Sequence, residues 1–325
     1  MSNLLEIDNL SIEYGVERGQ LQAVKDVNFS IKRGEFFGLA GESGCGKSTI
    51  AFSILQLLKG ESKVASGEIR FNGQNILAFN RNELRSFRWE NASIVLQSAM
   101  NNLNPVVTIK SQLIDTIRAH QSVSKSEAVK RTIELLNLVN IDPSRLSSYP
   151  HELSGGMRQR VVIAMAMALK PDLVILDEPT TALDVVVQYN IIRKIMELKQ
   201  TEGFSVLFIT HDLPLMLEVC DRIGIMYAGR MAELAEAEHL KKGGTHPYTK
   251  GLLKAFPSLL GEKIRLEGIP GSVPDLVTPP PGCLFYDRCT FRTDKCHESV
   301  PAFEALSENH YCACHNKSEV SLSHG

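Results

Sequence analysis

The segment from Gly41 to Thr49 constrains the fold of this chain most strongly, and it reads Gly-Glu-Ser-Gly-Cys-Gly-Lys-Ser-Thr. It fits the phosphate-binding loop pattern G-x-x-x-x-G-K-[ST] at every required position. An apolar run precedes it and the mainly apolar residues 50–55 follow it, so the segment predicts a strand, a glycine loop and a helix. Such a loop holds the phosphates of a nucleotide on backbone N–H groups at a helix N-terminus.

The residue types in this loop predict separate roles. Lys47 would reach the terminal phosphates and the Ser48 hydroxyl would ligate Mg²⁺, whereas Cys45 would contribute mainly its backbone. The alternative is a glycine-rich turn with an incidental lysine. We predict that the whole loop binds the nucleotide, through Gly41, Glu42, Ser43, Gly44, Cys45, Gly46, Lys47, Ser48 and Thr49.

Composition and hydropathy exclude several classes of protein. The 325 residues carry a formal net charge of −2, which argues against a generally nucleic-acid-binding surface. The longest strongly apolar run, residues 161–169, is far shorter than the roughly 20 residues of a membrane-spanning helix. No leader pattern opens the chain. These features predict a protein that is cytosolic or peripheral to a membrane.

Two further apolar runs end in residues that suit nucleotide chemistry. Residues 173–176 precede Asp177 and Glu178, a pattern typical of a buried parallel strand whose C-terminal end faces a site. Asp177 would hold Mg²⁺ through water, and Glu178 would orient or deprotonate the attacking water. Alternatively, the two acids merely begin a surface loop. Residues 205–210 precede His211, which is either a contact of the terminal phosphate or a structural histidine.

Two other residues each allow two interpretations. Gln97 follows the strand-like residues 93–96, of which the last three are apolar. It is either a contact of the metal or attacking water, or an ordinary surface amide. Tyr14 lies near the end of an early strand, where it either stacks on a purine or is a half-buried strand aromatic.

A second anion-binding site is predicted where residues 153–157, Leu-Ser-Gly-Gly-Met, open a strong helix. Ser154 followed by Gly155 and Gly156 would present free backbone N–H groups at the helix start. Because this site lacks its own lysine, we expect it to complement a nucleotide held on a second copy of the fold.

The order of these segments predicts an α/β fold of the P-loop NTPase type. Residues 4–39 predict a small antiparallel sheet that leads into the loop strand. The later alternation of strands and helices predicts a mainly parallel sheet with helices on both faces. Residues 98–152 read as an inserted helical subdomain. Five of the seven cysteines lie beyond residue 282 and mark a small cysteine-rich C-terminal module.

Together these motifs resemble the ATP-binding cassette ATPases over about residues 1–240, and the Leu-Ser-Gly-Gly-Met signature is the discriminating piece. The resemblance implies a head-to-tail dimer. Each ATP would lie between one subunit's phosphate loop and the signature helix of the other, while Asp184 would cross the interface. The resemblance also implies that Tyr14 stacks on adenine, Gln97 senses the metal site and His211 contacts the γ-phosphate.

Residues 246–249, 268–271 and 279–289 look like the C-terminal extension of dipeptide and oligopeptide importer ATPase subunits. Nickel importers are similar enough to remain an alternative. The resemblance implies an ATP-hydrolysing motor at the cytoplasmic face of the membrane. Its partners would be an identical or related ATPase subunit, two membrane-spanning permease subunits and, indirectly, an extracytoplasmic peptide-binding protein, with no nucleic acid. We expect an ATPase domain at 1–245, with its helical insert at about 98–165, and the extension at 246–325.

Two places depart from the family pattern. Ser98-Ala99-Met100 stands where an acidic residue and a proline usually precede methionine, and Val186 replaces a small hydroxyl residue. Neither touches the predicted chemistry. The first departure lies in the segment expected to face the permeases.

The C-terminal cysteines lack the usual zinc-knuckle and ferredoxin spacings. Spacing alone therefore leaves an iron–sulfur cluster, zinc and disulfides open. The importer resemblance implies a [4Fe–4S] cluster on Cys283, Cys289, Cys296 and Cys314, with Cys312 as the alternative fourth ligand.

Two rival functions belong to other classes. A soluble, non-transport cassette protein acting on nucleic acid or ribosomes often has a second cassette or a heptad insertion, and the sequence contains neither. In the other rival, the cysteine module is a redox sensor that controls the ATPase.

Overall fold

A computed structural model describes residues 2–97, 102–180, 184–255 and 268–317. These residues divide into two compact units. The first unit comprises residues 2–4, 32–35 and 78–208, and the second comprises residues 5–31, 36–77 and 209–317. The departure at Ser98-Ala99-Met100 lies outside the described residues.

Most of the strands are short, and the two longest open the chain. The strands are β1 (Asn3–Val16), β2 (Gly19–Lys32), β3 (Phe36–Ala40), β4 (Ser62–Phe71), β5 (Gln74–Asn75), β6 (Ala92–Val95), β7 (Leu173–Asp177), β8 (Ser205–Ile209), β9 (Arg222–Tyr227), β10 (Arg230–Glu236), β11 (Glu304–Ser307) and β12 (His310–Cys312).

The helices are interleaved with these strands after β3. They are α1 (Lys47–Ile54), α2 (Arg81–Ser86), α3 (Ile109–His120), α4 (Lys125–Leu138), α5 (Gly155–Ala166), α6 (Val185–Glu202), α7 (Leu213–Val219), α8 (Ala237–Lys241), α9 (Pro247–Lys254) and α10 (Asp294–Glu298).

An antiparallel sheet with the order β2-β1-β4-β5 belongs largely to the second unit. Strands β1 and β4 pair from Leu5 opposite Phe71 to Tyr14 opposite Ser62. This sheet buries aliphatic side chains such as Ile12 and Ile69 completely, and each such side chain contributes about 1.5–3 kcal/mol of stability. The small antiparallel sheet predicted from residues 4–39 therefore forms.

The remaining strands of the second unit follow the order β11-β12-β10-β9-β3. Strand β3 pairs in parallel with β9, from Phe37 opposite Arg222 to Ala40 opposite Ile225. Strand β10 pairs antiparallel with β9 and with β12. The cysteine-rich module therefore adds β11 and β12 to the sheet beside β10, a pairing that the sequence does not predict.

In the first unit, the strands follow the order β8-β7-β6. Strands β6 and β7 pair in parallel, from Ala92 opposite Leu173 to Val95 opposite Leu176. Every residue of β7 and β8 is buried, as continuous apolar runs predict for a sheet covered on both faces.

Helices α3 and α4 lie in the segment predicted to be helical. Thr108 caps α3 by accepting a hydrogen bond from the Ser111 N–H. Ser124 and Glu127 form a capping box at the start of α4, which satisfies two backbone N–H groups that have no partner within the helix.

Candidate functional site

The predicted phosphate loop connects β3 to α1 in the second unit. Lys47 is the first residue of α1 and is only 7% exposed. Its Nζ donates hydrogen bonds to the Gly41 carbonyl at 2.7 Å and the Glu42 carbonyl at 3.0 Å. The loop therefore encloses its own ammonium group, and the exposed residues Ser43, Gly44 and Ser48 border it.

Gly41 and Gly46 are required by backbone conformation and by space. Their φ angles are 145° and 103°, which L-residues with a side chain rarely adopt. A Cβ on Gly41 would lie 2.2 Å from the Met226 carbonyl oxygen, and a Cβ on Gly46 would lie 2.5 Å from the Ala23 carbonyl oxygen. The loop can keep this path only with glycine at both positions.

The contacts of Cys45, within the loop, and of Tyr14, beside it, complete the description of this region. Burial raises the pKa of the Cys45 thiol, and the Cys45 carbonyl accepts a hydrogen bond from the Gly229 N–H at 3.2 Å. Tyr14 Oη lies 3.3 Å from Thr49 Oγ1. Tyr14 is therefore beside the first turn of α1.

The predicted acids and glutamine lie in the first unit. Asp177 ends β7 and is 5% exposed. Gln97 Nε2 donates a hydrogen bond to Glu178 Oε2 at 2.8 Å, so two residues 81 positions apart in sequence come into direct contact. Glu178 has a φ angle of 49°, an uncommon left-handed conformation that costs on the order of 1–3 kcal/mol and clusters at functional sites.

The predicted second anion site is also in the first unit. Ser154 caps α5 by accepting a hydrogen bond from the Met157 N–H at 3.3 Å. Asp184 caps α6 in the same way through the Val187 N–H at 3.0 Å. Both caps border a cavity of about 680 Å³, together with Gly155 and Gly156. The structure thus brings the signature and Asp184 to one concave surface.

The start of α6 carries an exposed apolar pair. Val185 is 81% exposed and Val186 is 70% exposed. Both residues directly follow Asp184, so the cavity described above adjoins apolar surface. Val186 is one of the departures noted in the sequence, and it contributes to this apolar surface rather than to the core.

His211 lies in the second unit, in the turn between β8 and α7. The residue is exposed, and its carbonyl accepts a hydrogen bond from the Leu213 N–H at 3.2 Å. The adjacent Asp212 caps α7 through the Leu215 N–H at 3.0 Å. The histidine is therefore carried on an anchored turn.

Four of the C-terminal thiols influence one another. Burial, together with the neighbouring thiols Cys296, Cys289 and Cys314, raises the pKa of Cys283 to about 12. Burial, together with Cys289 and Cys296, likewise raises the pKa of Cys314 to about 11. Because metal ligation requires thiolates, only a bound cation would hold these groups deprotonated near neutral pH.

Cys312 has different surroundings. Burial raises its pKa, and the charge on Glu233 is the next largest cause. Within the described ranges, no three cysteine sulfurs lie within 4.8 Å of one another. A single tetrahedral zinc ion at about 2.3 Å from each sulfur needs closer sulfurs than that.

A buried carboxylate links the cysteine-rich module to β10. Glu233 is fully buried and accepts hydrogen bonds from the Thr245 N–H at 2.7 Å and the His246 N–H at 2.8 Å. Glu233 Oε1 also lies 3.0 Å from His310 Nε2. The ligand atoms of Glu233, His239 and His310 lie within 4.8 Å of one another. Because both oxygens of Glu233 already accept hydrogen bonds, this cluster is a polar link within the fold.

Sequence reasoning missed the partners of one loop residue. Glu42 forms an ion pair with Arg288, and its N–H donates a hydrogen bond to Tyr248 Oη at 2.9 Å. This hydrogen-bonded ion pair raises the pKa of the Arg288 guanidinium. The only signal in the sequence is that Arg288 directly precedes Cys289 and Tyr248 follows the His246-Pro247 pair.

These features define the class of ABC transporter ATPases, and two family models agree with it. The model described as ABC transporter matches residues 24–181. The model described as oligopeptide/dipeptide transporter, C-terminal region, matches residues 232–296. No helix within the described ranges is both long enough and apolar enough to cross a membrane.

Relatives that match nearly the whole length of the chain show which family of ABC transporter ATPases it belongs to. The chain is 44% identical over 321 residues to the probable peptide ABC transporter ATP-binding protein y4tR of Sinorhizobium fredii, covering 98% of this chain and 96% of the relative. It is 42% identical over 314 residues to the dipeptide transport ATP-binding protein DppD of Escherichia coli, covering 96% of each. It is 40% identical over 321 residues to the oligopeptide transport ATP-binding protein OppD of Salmonella typhimurium, covering 98% and 95%. The chain therefore belongs to the family of ATP-binding subunits of oligopeptide/dipeptide ABC transporters.

Solved structures confirm the predicted fold class. The ATP-binding cassette MJ0796, in a dimeric post-hydrolysis state bound to ADP and Pi, matches with a TM-score of 0.64 at 28% identity, covering 72% of this chain and 98% of that one. The cbiO1 protein of Clostridium perfringens, part of an ABC transporter complex, matches with a TM-score of 0.65 at 27% identity, covering 74% and 91%.

Proposed function

We propose that this chain is the ATP-hydrolysing motor subunit of an ABC importer that takes up dipeptides or oligopeptides. The observation that carries the proposal is the coexistence of a complete phosphate loop, with Lys47 buried inside it, and a lysine-free helix N-terminus at Ser154. The proposed substrate class comes from the relatives that are 40–44% identical over nearly their whole length, because their names specify peptide, dipeptide or oligopeptide transport.

The proposed roles follow from the chemistry of each side chain. Lys47 binds the terminal phosphates, and Ser48, Gln97 and Asp177 hold Mg²⁺, which offsets phosphate charge. Glu178 accepts a proton from the attacking water. Its contact with Gln97 at 2.8 Å fixes where that carboxylate points.

Two remaining roles concern the ends of the nucleotide. We assign Tyr14 to stacking on adenine, which its position beside Thr49 supports. We assign His211 to the γ-phosphate, which its exposed and anchored turn supports.

The working form in this proposal is a head-to-tail dimer with an identical or related ATPase subunit. Each ATP is held by one subunit's phosphate loop and the other's Ser154-Gly155-Gly156, while Asp184 crosses the interface. The exposed Val185 and Val186 beside the signature cavity support this, because a partner subunit would cover them. The dimeric state of the similar cassette MJ0796 also supports it.

We further propose that the dimer works at the cytoplasmic face of the membrane on two permease subunits. An extracytoplasmic peptide-binding protein would deliver the cargo to them. In this arrangement, residues 1–245 form the ATPase domain with its helical insert at about 98–165, and residues 246–325 form the importer-specific extension.

An uptake assay tests the proposed function. Cells that express the complete importer with wild-type chain should accumulate labelled di- or oligopeptides, and Glu178→Gln should abolish uptake while ATP binding persists. Glu238→Gln is the matched control, because that exposed acid lies on α8. Uptake of labelled nickel instead of peptide would support the nickel alternative, and co-purification with ribosomes rather than membranes would refute transport.

We also propose that Cys283, Cys289, Cys296 and Cys314 hold a [4Fe–4S] cluster, which supplies a rigid, redox-active centre when bound. The mutual influence of these four thiols supports the ligand set, and the different surroundings of Cys312 favour Cys314 as the fourth ligand. Protein prepared without oxygen should contain iron and labile sulfide. Absence of both would refute the cluster.

A further inference from the structure

The phosphate-loop residue Glu42 is held through its side chain and through both ends of its backbone. Its carboxylate forms a two-pronged ion pair with Arg288, with Nη1 to Oε2 and Nη2 to Oε1 both at 2.8 Å. Its N–H donates a hydrogen bond to Tyr248 Oη at 2.9 Å. Its carbonyl accepts one from Lys47 Nζ at 3.0 Å. Glu42, whose carbonyl accepts a hydrogen bond from Lys47, is thus anchored by Tyr248 and Arg288 from the C-terminal part of the chain.

Arg288 is itself fixed in place. Its side chain is 5% exposed. Its Nε donates a hydrogen bond to the Pro270 carbonyl at 2.9 Å, and Nη2 donates one to the Ile269 carbonyl at 3.1 Å. The guanidinium also lies 5.6 Å from the centroid of the Tyr227 ring. The Arg288 guanidinium is therefore held in one orientation by its hydrogen bonds and by the Tyr227 ring. This orientation suits a bidentate contact with a carboxylate.

The backbone of Arg288 belongs to a short turn between two of the proposed cluster ligands. The Tyr286 N–H donates a hydrogen bond to the Cys283 carbonyl at 2.9 Å, and the Cys289 N–H donates one to the Tyr286 carbonyl at 3.1 Å. The Cys283 N–H in turn donates to the Cys296 carbonyl at 2.7 Å. The backbone that carries Arg288 is therefore hydrogen-bonded to the backbone of three of the proposed cluster ligands.

We propose that Arg288 is a positioning residue for the phosphate loop and that, through Glu42, the cysteine-rich module sets the affinity of the loop for ATP. The inference rests on the proposed ATPase function. Without the ion pair, Glu42 would be held only by Tyr248 and by Lys47, whose ammonium group also has to bind phosphate. The Glu42 peptide would then sample more orientations, and ATP binding would have to order it again. Apparent affinity falls with the fraction of molecules whose loop is already in the binding conformation.

A double-mutant cycle tests this coupling. Arg288→Met and Glu42→Gln should each weaken ATP binding about tenfold, a typical coupling between residues in contact. Turnover of Arg288→Met at saturating ATP should stay within about twofold of wild type, because the Arg288 side chain takes no part in the chemistry. The double variant should be no weaker than either single variant, since all three lack the same contact. The measurements are the Kd for ATP by calorimetry, and KM and kcat from steady-state hydrolysis.

Two further variants separate positioning from general stability. Arg288→Lys keeps the charge but loses the fork, so it should recover only part of the affinity. Arg292→Met is the matched control, because Arg292 is an exposed arginine of the same module that lies over the Tyr286 ring rather than against the loop. The control should bind ATP as wild type does.

The proposal is overturned if Kd and KM are unchanged in both single variants, if the two losses simply add, or if the variants lose only thermal stability. Should Arg288→Met fail to fold, the near-isosteric Glu42→Gln decides the outcome alone. A wild-type chain that binds ATP but drives no peptide uptake would refute the proposed function while leaving the Kd test of the ion pair intact.

Discussion

Gly41 offers the sharpest test of how the loop is built. In Gly41→Ala, the new Cβ would lie 2.2 Å from the Met226 carbonyl oxygen and 2.7 Å from Cys45 Sγ. The carbonyl cannot yield easily, because Met226 is in β9, whose residues 222–225 pair with β3. The contact must open by about 1 Å to reach van der Waals separation. The φ angle of 145° adds strain of about 1–3 kcal/mol.

A displacement of about 1 Å in a positioned site costs on the order of 100-fold in rate. We therefore expect Gly41→Ala to lower kcat/KM for MgATP by about that factor, as measured by steady-state phosphate release. The matched control is Gly34→Ala, since Gly34 has a φ angle of 70° and no heavy atom within 4 Å of the added Cβ. It should lose about 1–2 kcal/mol of stability from left-handed strain alone and keep its kcat/KM. Wild-type kcat/KM in Gly41→Ala, or an equal loss in the control, would refute the steric reasoning.

Three other predictions concern separate parts of the chain. Glu178→Gln should reduce turnover by about 10²–10⁴, the usual contribution of a general base, with Kd for ATP unchanged; undiminished turnover would exclude that role. Glu233→Gln should cost about 2–4 kcal/mol in chemical denaturation, because an amide nitrogen would face buried N–H donors. Since hydrogen bonds hold the pKa of Glu233 below its ordinary value despite burial, this stabilisation is present above that ordinary pKa and is lost as the pH falls through the folded-state pKa; a wild-type and variant pair with parallel pH profiles would contradict it. Cys314→Ser should lose bound iron under anaerobic preparation whereas Cys312→Ser should retain it. The reverse result would identify Cys312 rather than Cys314 as the fourth ligand.

Local patterns in the sequence were sufficient to predict the strands in which every residue is buried. Strands β3, β7 and β8 are short apolar runs, and all their residues are buried. Their polar ends carry Asp177 and His211 for the same reason, because a buried parallel strand emerges at a sheet edge. Strand β4 extends back to Ser62 because its first residues pair with the end of β1, where Tyr14 lies opposite Ser62.

Contacts between distant residues could not be predicted in this way. The glutamate of the Glu42–Arg288 pair is 246 positions from its arginine, and no periodicity signals it. Glu233 lies in a strand whose middle residues are all buried, where the sequence pattern predicts an apolar side chain. Its burial depends on donors from Thr245, His246 and His310, which only tertiary structure brings together.

These two distant contacts bear on how the cysteine-rich module acts. Strand β12 pairs with β10, and the Glu233 carboxylate satisfies buried donors where the module begins, so the module is part of the second unit's sheet. Arg288 then connects the same module to Glu42 in the phosphate loop. A substitution at Glu233 should therefore change stability and ATP affinity together. A substitution at Arg288 should change affinity more than stability, because it removes the ion pair at the loop and the hydrogen bonds to the Pro270 and Ile269 carbonyls but no strand pairing. The ratio of these two effects distinguishes a module that only stabilises the fold from one that sets the affinity of the nucleotide site.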